Sequence, residues 1–535
     1  RASSRYESFP GLHQAGDHRC RESELLARRL REIPGRRSAF PVHPRGGQWR
    51  HYHRAAATGL RRTLRINSGG HYRMKLTILG GGGFRVPLVF KALAHDTSPQ
   101  RVTELRLYDT DPLRLGVIET VVAQLARALP HAPSVVATTD LPTALAGTDF
   151  IFSAIRVAGT HGRALDESMC LARGVIGQET VGAGGISYAL RGIPVVLDLV
   201  EQITRYAPDA KVINFTNPAG VMTEVMQRRL GDQVVGICDS PVGLARRILT
   251  TLQRAGLAPA DLGSLFDGDG RIHIGYSGLN HLGWLTSLNV DGVDVLPRLL
   301  ERPDLIESFE EGRLFGADLV QALGAVPNEY LHYYYYSRDD LAADRKAEAP
   351  RGAFLEAQQN QFYTQAQHTD DVAGLWEATR LEREETYMAT NREVSGEFER
   401  DEADLETGGY DKVALAIMHA IANDVPAELI LNVANHGALP DLPDEAVVEV
   451  PCRVDGAGIH RLPTPALPDH ARGLVVNAKY VEQRTIDAAV NHSRTAALLA
   501  LSHHPLVDSV HVAEQLLDDF ADAFDGLEYL KDAHA

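Results

Sequence analysis

The chain has 535 residues, 44% of them hydrophobic and 23% charged, with a net charge of −16. That size and balance fit a globular enzyme of two large domains or a few smaller ones. No uninterrupted run of 18 apolar residues occurs, which argues against a membrane-spanning helix, and four cysteines at 20, 170, 238 and 452 without a CxxC pair exclude a disulfide scaffold and a conventional structural zinc site.

The charge is unevenly spread. Residues 1–73 carry 16 Arg, no Lys and 5 acids, a net +11, and the remaining 462 residues carry −27. The first methionine is Met74, followed at once by an apolar run. The expectation is that 1–73 is an extension, disordered or loosely packed, and that the enzyme proper starts at Met74. A transit-type peptide and a nucleic-acid-binding arm are the alternatives, the first without a long amphipathic helix and the second without aromatic interleaving. The acidic body disfavours nucleic acid and membrane surfaces, and the sparse cysteines suit a reducing cytoplasm.

Residues 75–79 predict a short buried strand, followed by four glycines, Gly80 to Gly83, and a helix with Pro87 in its first turn. A second strand, 102–108, ends at Asp109, 29 residues after Gly80, close to one strand–helix–strand unit. Further strands are expected at 135–138, 150–155, 211–215 and 233–238, with a helix over 194–206. Strands alternating with helices predict an α/β fold with an N-terminal Rossmann-like, doubly wound parallel sheet. After about residue 250 the pattern changes to alternating strands at 272–276 and 284–290, long helices around 352–391 and 410–424, strands at 429–433 and 446–450, and a helical end over 472–524. The expected organisation is a Rossmann-like NAD-binding domain over 74–250 and a C-terminal α+β domain over 251–535, an arrangement that resembles lactate and malate dehydrogenases and by that resemblance implies a catalytic and oligomerisation role for the second domain.

Four constellations carry chemistry. Gly80 and Gly82 occupy the first two positions of GxGxxG, where the backbone turns tightly and approaches a pyrophosphate. Phe84 and Arg85 complete the turn, with Arg85 where a third glycine is usual. Asp109 would accept hydrogen bonds from both ribose hydroxyls and disfavour a 2′-phosphate, pointing to NAD; the alternative is an ordinary loop with Asp109 as a helix cap. Asn214-Phe215-Thr216-Asn217-Pro218 ends a strand and reads equally as a ligand-facing pair of amides or as an Asx turn. Cys238-Asp239 ends the next strand, and with His281 of Gly278-Leu279-Asn280-His281 a thiolate and an imidazole make a plausible divalent-metal site. Taken singly, Asp239 reads as a helix cap and His281 as a core histidine. The run Asn328 to Tyr336 (NEYLHYYYY) is a packing stripe, or holds a tyrosine that serves as a base beside a metal.

These motifs in this order, together with Gly174 to Gly185 (GVIGQETVGAGG), resemble glycoside hydrolase family 4, the NAD- and divalent-metal-dependent glycosidases, over about residues 74–520. The resemblance implies that the nicotinamide removes hydride from C3 of the glucosyl ring, a tyrosine takes the acidified C2 proton while a metal, manganese by preference, stabilises the enediolate, and the aglycone leaves by elimination. Water then adds and the hydride returns. Carried over position by position, it makes Cys238 and His281 metal ligands, Tyr330 the base, Asn217 and Asn280 substrate-binding, Arg351 a phosphate-binding arginine and Arg156 an arginine beside cofactor and substrate. Glu428 to Val454 looks like the 6-phospho-β-glucosidase branch. Phospho-β-glucosidases usually carry Asn after the metal-binding cysteine and phospho-α-glucosidases Asp, used as an acid on the leaving group; this chain has Asp239. The longer stretch favours β. The implied substrate is a phosphorylated disaccharide or aryl glucoside, and the implied assembly a homodimer or homotetramer. A hydroxy-acid dehydrogenase and a non-enzymatic NAD sensor are the competing classes; neither needs Cys238, His281 and Tyr330 together.

Overall fold

A computed structural model describes residues 73–396, 398 and 409–531. The extension 1–73 is therefore, apart from Arg73, outside the described residues. Thirteen strands form one sheet: β1 (Met74–Leu79), β2 (Val102–Tyr108), β3 (Ser134–Thr138), β4 (Phe150–Ser153), β5 (Lys211–Asn214), β6 (Val234–Gly236), β7 (Ile272–Leu279), β8 (Leu282–Val290), β9 (Val293–Asp294), β10 (Val326–Pro327), β11 (Ala427–Ala434), β12 (Val447–Asp455) and β13 (Gly458–Arg461). The first six are parallel in the order β3-β2-β1-β4-β5-β6, the doubly wound arrangement, whose strand order reverses between β1 and β4. β1 is buried along nearly its whole length because helices cover both faces of such a sheet.

The sheet does not stop at β6. β11 joins it antiparallel through Asn432 opposite Gly236, and β12, β7, β8 and β10 extend it. The close approach at Gly236 has no room for a side chain: a Cβ there would lie 2.3 Å from the Thr223 hydroxyl. The α/β class with a doubly wound parallel N-terminal half is as the sequence predicts; the strands added beyond β6 all pair antiparallel.

One helix departs from expectation. The helix expected over 194–206 begins twelve residues earlier, as Gly182–Tyr206, with Pro194 in its interior. A proline favours the first turn of a helix, yet residues 182–193 are all buried, and that burial outweighs an interior proline's cost of about 3 kcal/mol. The same helix is, among the described residues, long and apolar enough to span a membrane, although Arg191 and Asp198 interrupt its apolar run; 78% of its most apolar window is buried inside the protein, where it serves as a core helix.

Candidate active site

The carboxyl ends of β1, β2, β4, β5 and β6 open onto a cavity of about 1180 Å³. It is lined by Gly80, Gly82, Phe84, Arg85, Asp109, Arg156, Asn217, Cys238, Asp239, His281, Tyr330 and Arg351, so twelve of the thirteen residues singled out in the sequence meet there. The exception is Asn280, whose amide turns away to donate to Glu449 at 3.2 Å.

The glycine turn follows β1 directly. Gly80 has φ +90°, and a Cβ on it would lie 2.6 Å from the Ala154 carbonyl oxygen, so glycine is required for both torsion and space. Gly80 and Gly81 donate to the Tyr108 carbonyl at 2.9 and 2.7 Å, and Gly82 donates to Asp109 Oδ2 at 2.9 Å. Asp109 Oδ1 accepts from Asp111 N–H at 3.0 Å. The helix cap is Asp111, which accepts from Leu113 and Arg114, so Asp109 is not spent as a cap and each of its oxygens keeps a lone pair toward the cavity. With the glycine N–H groups engaged, the backbone N–H groups of Phe84 and Arg85 remain without partners among the described residues, at the start of the helix Val86–His95. Two free donors, a helix N-terminus and a carboxylate at the end of β2 fit the pyrophosphate and ribose of a dinucleotide.

The two amides after β5 divide their work. Asn214 is fully buried; its Oδ1 accepts from Thr216 N–H at 3.0 Å and its Nδ2 donates to Thr223 Oγ1 at 3.0 Å, an Asx turn. Asn217 faces the cavity.

Cys238 and Asp239 follow β6. Asp239 is the N-cap residue of the helix Ser240–Arg254, but its side chain makes no capping hydrogen bond. Burial, opposed by the charge of Arg85, pushes its carboxyl up to about 6. Burial, reinforced by Glu449 and Asp239, raises the Cys238 thiol well above its ordinary value. His281 sits in the two-residue turn between β7 and β8 at φ +62°, a torsion that costs a non-glycine residue about 1–3 kcal/mol and that clusters at functional sites. Burial drives its pKa down to about 3, so the imidazole is neutral. Among the described residues no group of three or more His, Cys, Asp and Glu could hold a metal ion by itself. A thiol and a neutral imidazole facing one cavity would supply two ligands and leave positions for substrate and water, the layout of a catalytic rather than a structural metal.

Tyr330 stacks on His281 with ring centroids 3.6 Å apart and planes 3° apart. Its hydroxyl lies 3.1 Å from that of Tyr387, which donates to Glu329 Oε1 at 2.8 Å; Ser240 donates to the same oxygen at 2.9 Å. Burial, with Glu329 beside it, pushes Tyr330 well above its ordinary value, and burial pushes Glu329 up to about 7. A positive charge next to Tyr330 is what would make it a base. Tyr333 also lines the cavity, whereas Tyr336 donates to the Phe315 carbonyl at 2.9 Å and the Tyr335 hydroxyl accepts from Trp284 Nε1 at 3.3 Å.

One wall is cationic. Arg156 and Arg163 converge on Glu179 at 2.7 and 2.8 Å; burial alone would raise Glu179, but the two guanidinium charges outweigh it and hold the carboxyl far below the carboxylate range. Arg351 donates to Thr386 Oγ1 at 2.6 Å and to the Arg383 carbonyl at 2.9 Å. The Arg383 guanidinium has no hydrogen-bond or ion-pair partner among the described residues, and burial, with Arg85 and Arg351 nearby, lowers it to about 9. Crowded cations facing a cavity call for a polyanionic ligand. Arg163, Arg383 and Tyr387 stand in none of the motifs above, and Glu179 and Glu329 stand in GVIGQETVGAGG and NEYLHYYYY without a role of their own. Contacts between distant segments bring them to the site.

Comparison with known proteins shows the family. The family model described as Family 4 glycosyl hydrolase matches residues 75–254, and that of the Family 4 glycosyl hydrolase C-terminal domain matches 276–507. The chain belongs to glycoside hydrolase family 4. A Bacillus subtilis (strain 168) protein named Probable 6-phospho-beta-glucosidase is 30% identical to this family 4 chain over 463 residues, 84% of it and 96% of the relative. The 6-phospho-alpha-glucosidase 1 of Lacticaseibacillus paracasei is 29% identical over 463 residues, with the same coverage of 84% and 96%. The 6-phospho-beta glucosidase of Thermotoga maritima, solved with manganese, NAD+ and glucose-6-phosphate, superposes with a TM-score of 0.69 at 26% identity and covers 86% of this chain and 100% of its own. Among these relatives both anomeric specificities occur at nearly equal identity.

Proposed function

We propose that this family 4 enzyme hydrolyses 6-phospho-β-glucosides, aryl glucosides or disaccharides, to glucose 6-phosphate and the free aglycone, using NAD and a divalent metal such as manganese. The observation that carries the reading is the convergence of a glycine turn with Asp109, the pair Cys238 and His281, Tyr330 and a cationic wall on one cavity. Gly80, Gly82 and Asp109 would hold the dinucleotide, which would supply reversible hydride acceptance from sugar C3, and Cys238 and His281 would hold the metal, which would supply Lewis-acid polarisation of the sugar. Tyr330 takes the C2 proton, made acidic by the adjacent C3 carbonyl, and Tyr387 and Glu329 hold its hydroxyl in place. Asp239, half-buried beside Cys238, gives a proton to the departing aglycone oxygen. Arg351 and Arg383 bind the 6-phosphate, while Arg156 and Asn217 orient the sugar. Water adds at C1, the proton returns to C2, and the sugar leaves with no net change in NAD.

The β preference rests on the stretch Glu428 to Val454, which forms β11, β12 and the loop between them. A 6-phospho-α-glucosidase is the second reading, favoured by one observation: Asp239 is an aspartate whose carboxyl does not cap its helix. Chromogenic α- and β-glucoside 6-phosphates, each assayed with and without NAD and manganese, separate the two. Cleavage of the β anomer dependent on both additives, without net NADH, is expected; cleavage of the α anomer alone moves the assignment to the second reading. Net NADH formation from a hydroxy acid, without glycoside cleavage, overturns both.

A further inference from the structure

The segment Gly177-Gln178-Glu179-Thr180 carries more than Glu179. His281 Nδ1 lies 2.9 Å from Thr180 Oγ1, and Thr180 Oγ1 lies 2.9 Å from Gln178 Oε1. The identity of that amide atom is fixed, because it accepts from the backbone N–H of Thr180 at 2.6 Å and of Val181 at 2.8 Å, which a side-chain nitrogen could not do. Two oxygens 2.9 Å apart hold the hydroxyl proton between them, so the Thr180 proton points to Gln178. Thr180 Oγ1 can then only accept from His281, which places the imidazole proton on Nδ1. Nε2 is left with a bare lone pair and no partner among the described residues, in a side chain that lines the cavity.

We propose that Thr180, oriented by Gln178, is a positioning residue that selects the tautomer and ring flip of His281 able to coordinate a divalent metal through Nε2. The proposal rests on the metal reading above. The Tyr330 stack fixes the plane of the imidazole but is indifferent to a half-turn of the ring; the Thr180 hydroxyl distinguishes the two orientations. The surrounding backbone is built around this contact. The helix Gly182–Tyr206 starts directly on the turn, and a Cβ on Gly184 would lie 2.4 Å from the Gln178 carbonyl oxygen, one on Gly185 2.5 Å from that of Thr180. Glycine at both positions lets the helix sit close enough to hold the turn against His281.

The test is manganese affinity of the NAD-loaded protein, read from the electron paramagnetic resonance signal of free Mn²⁺, for the wild type, Thr180→Val, Thr180→Ala, Thr180→Ser and His281→Ala. NAD affinity, measured on each, reports an intact fold. Losing a hydrogen-bond partner of a metal-ligating histidine weakens metal binding about 10–100-fold, so Thr180→Val and Thr180→Ala are expected to lose that much and Thr180→Ser to stay within about threefold of wild type. Whichever of the Val and Ala variants keeps NAD affinity decides the matter. If it binds manganese as the wild type does while His281→Ala has lost it, the positioning role is overturned and the metal reading stands. If His281→Ala itself binds manganese like the wild type, the metal reading fails.

Discussion

Replacing Tyr387 by Phe removes one oxygen and keeps the ring. That oxygen lies 3.1 Å from the Tyr330 hydroxyl and donates to Glu329 Oε1 at 2.8 Å. Glu329 keeps its bond from Ser240 at 2.9 Å, whereas Tyr330 loses the hydroxyl that orients its own. A hydrogen bond involving a charged group is worth about 1.5–3 kcal/mol, so proton abstraction is expected to slow about 10–150-fold at about 1.4 kcal/mol per tenfold. Because the defect falls on the proton-transfer step, that step becomes more rate-limiting. The assay is kcat with C2-protio and C2-deutero glucoside 6-phosphate. Tyr387→Phe should lower kcat within that range and raise the C2 isotope effect above the wild-type value, with NAD and manganese affinities unchanged. A kcat equal to that of wild type, or a fall in kcat that tracks weakened NAD binding with no C2 isotope effect, refutes the reasoning.

Gly82→Ala places a Cβ 3.0 Å from Asp109 Oδ2 and from Leu115 N; overpacking of about 1–3 kcal/mol should weaken NAD binding about 10–100-fold, measured by titration of cofactor fluorescence, and unchanged NAD affinity would contradict the assignment of the turn. Arg383→Ala should raise KM for the phosphorylated substrate about 10–100-fold, the worth of a charge-assisted hydrogen bond, while kcat changes little; an unchanged KM would remove Arg383 from the phosphate site. His504, buried and accepting from Gly182 N–H at 3.1 Å, is pushed by burial from 6.5 down to about 4. The unfolded chain therefore binds more protons between these values, so stability present above pH 6.5 is lost as pH falls toward 4, by up to about 3 kcal/mol. Urea unfolding of His504→Leu should show a slope smaller than the wild type's by this one proton, His281 still contributing its own, and an identical slope in the variant would refute it.

The parallel strands and the glycine turn were legible because each is a local signal: a short apolar run, a glycine cluster, a carboxylate at a strand end. The candidate site residues were legible where they stand in such strand-end motifs, as Asp109, Cys238 and Asn217 do. Orientation was not. Asn280 lies beside His281 in the chain yet turns its amide to Glu449, on β12, because the Asn280–His281 turn sends adjacent side chains to opposite sides. Thr180 reaches His281 across 101 residues, and Tyr387 reaches Tyr330 across 57, distances over which a sequence pattern carries no register. The start of the helix Gly182–Tyr206 was hidden for a related reason: Gly182-Ala183-Gly184-Gly185 reads as a loop, and only the backbone contacts with Gln178 and Thr180 show why glycine belongs in a helical turn there.

With Tyr330 as the base, the C2 proton of the substrate leaves and returns during hydrolysis. Turnover of the glucoside 6-phosphate in deuterated water, with the glucose 6-phosphate analysed by proton NMR, tests it directly. Deuterium at C2 of the product, incorporated only when NAD and manganese are present, is the predicted result. Product that keeps its original C2 hydrogen in full would mean direct displacement at C1 and would contradict the role given to Tyr330.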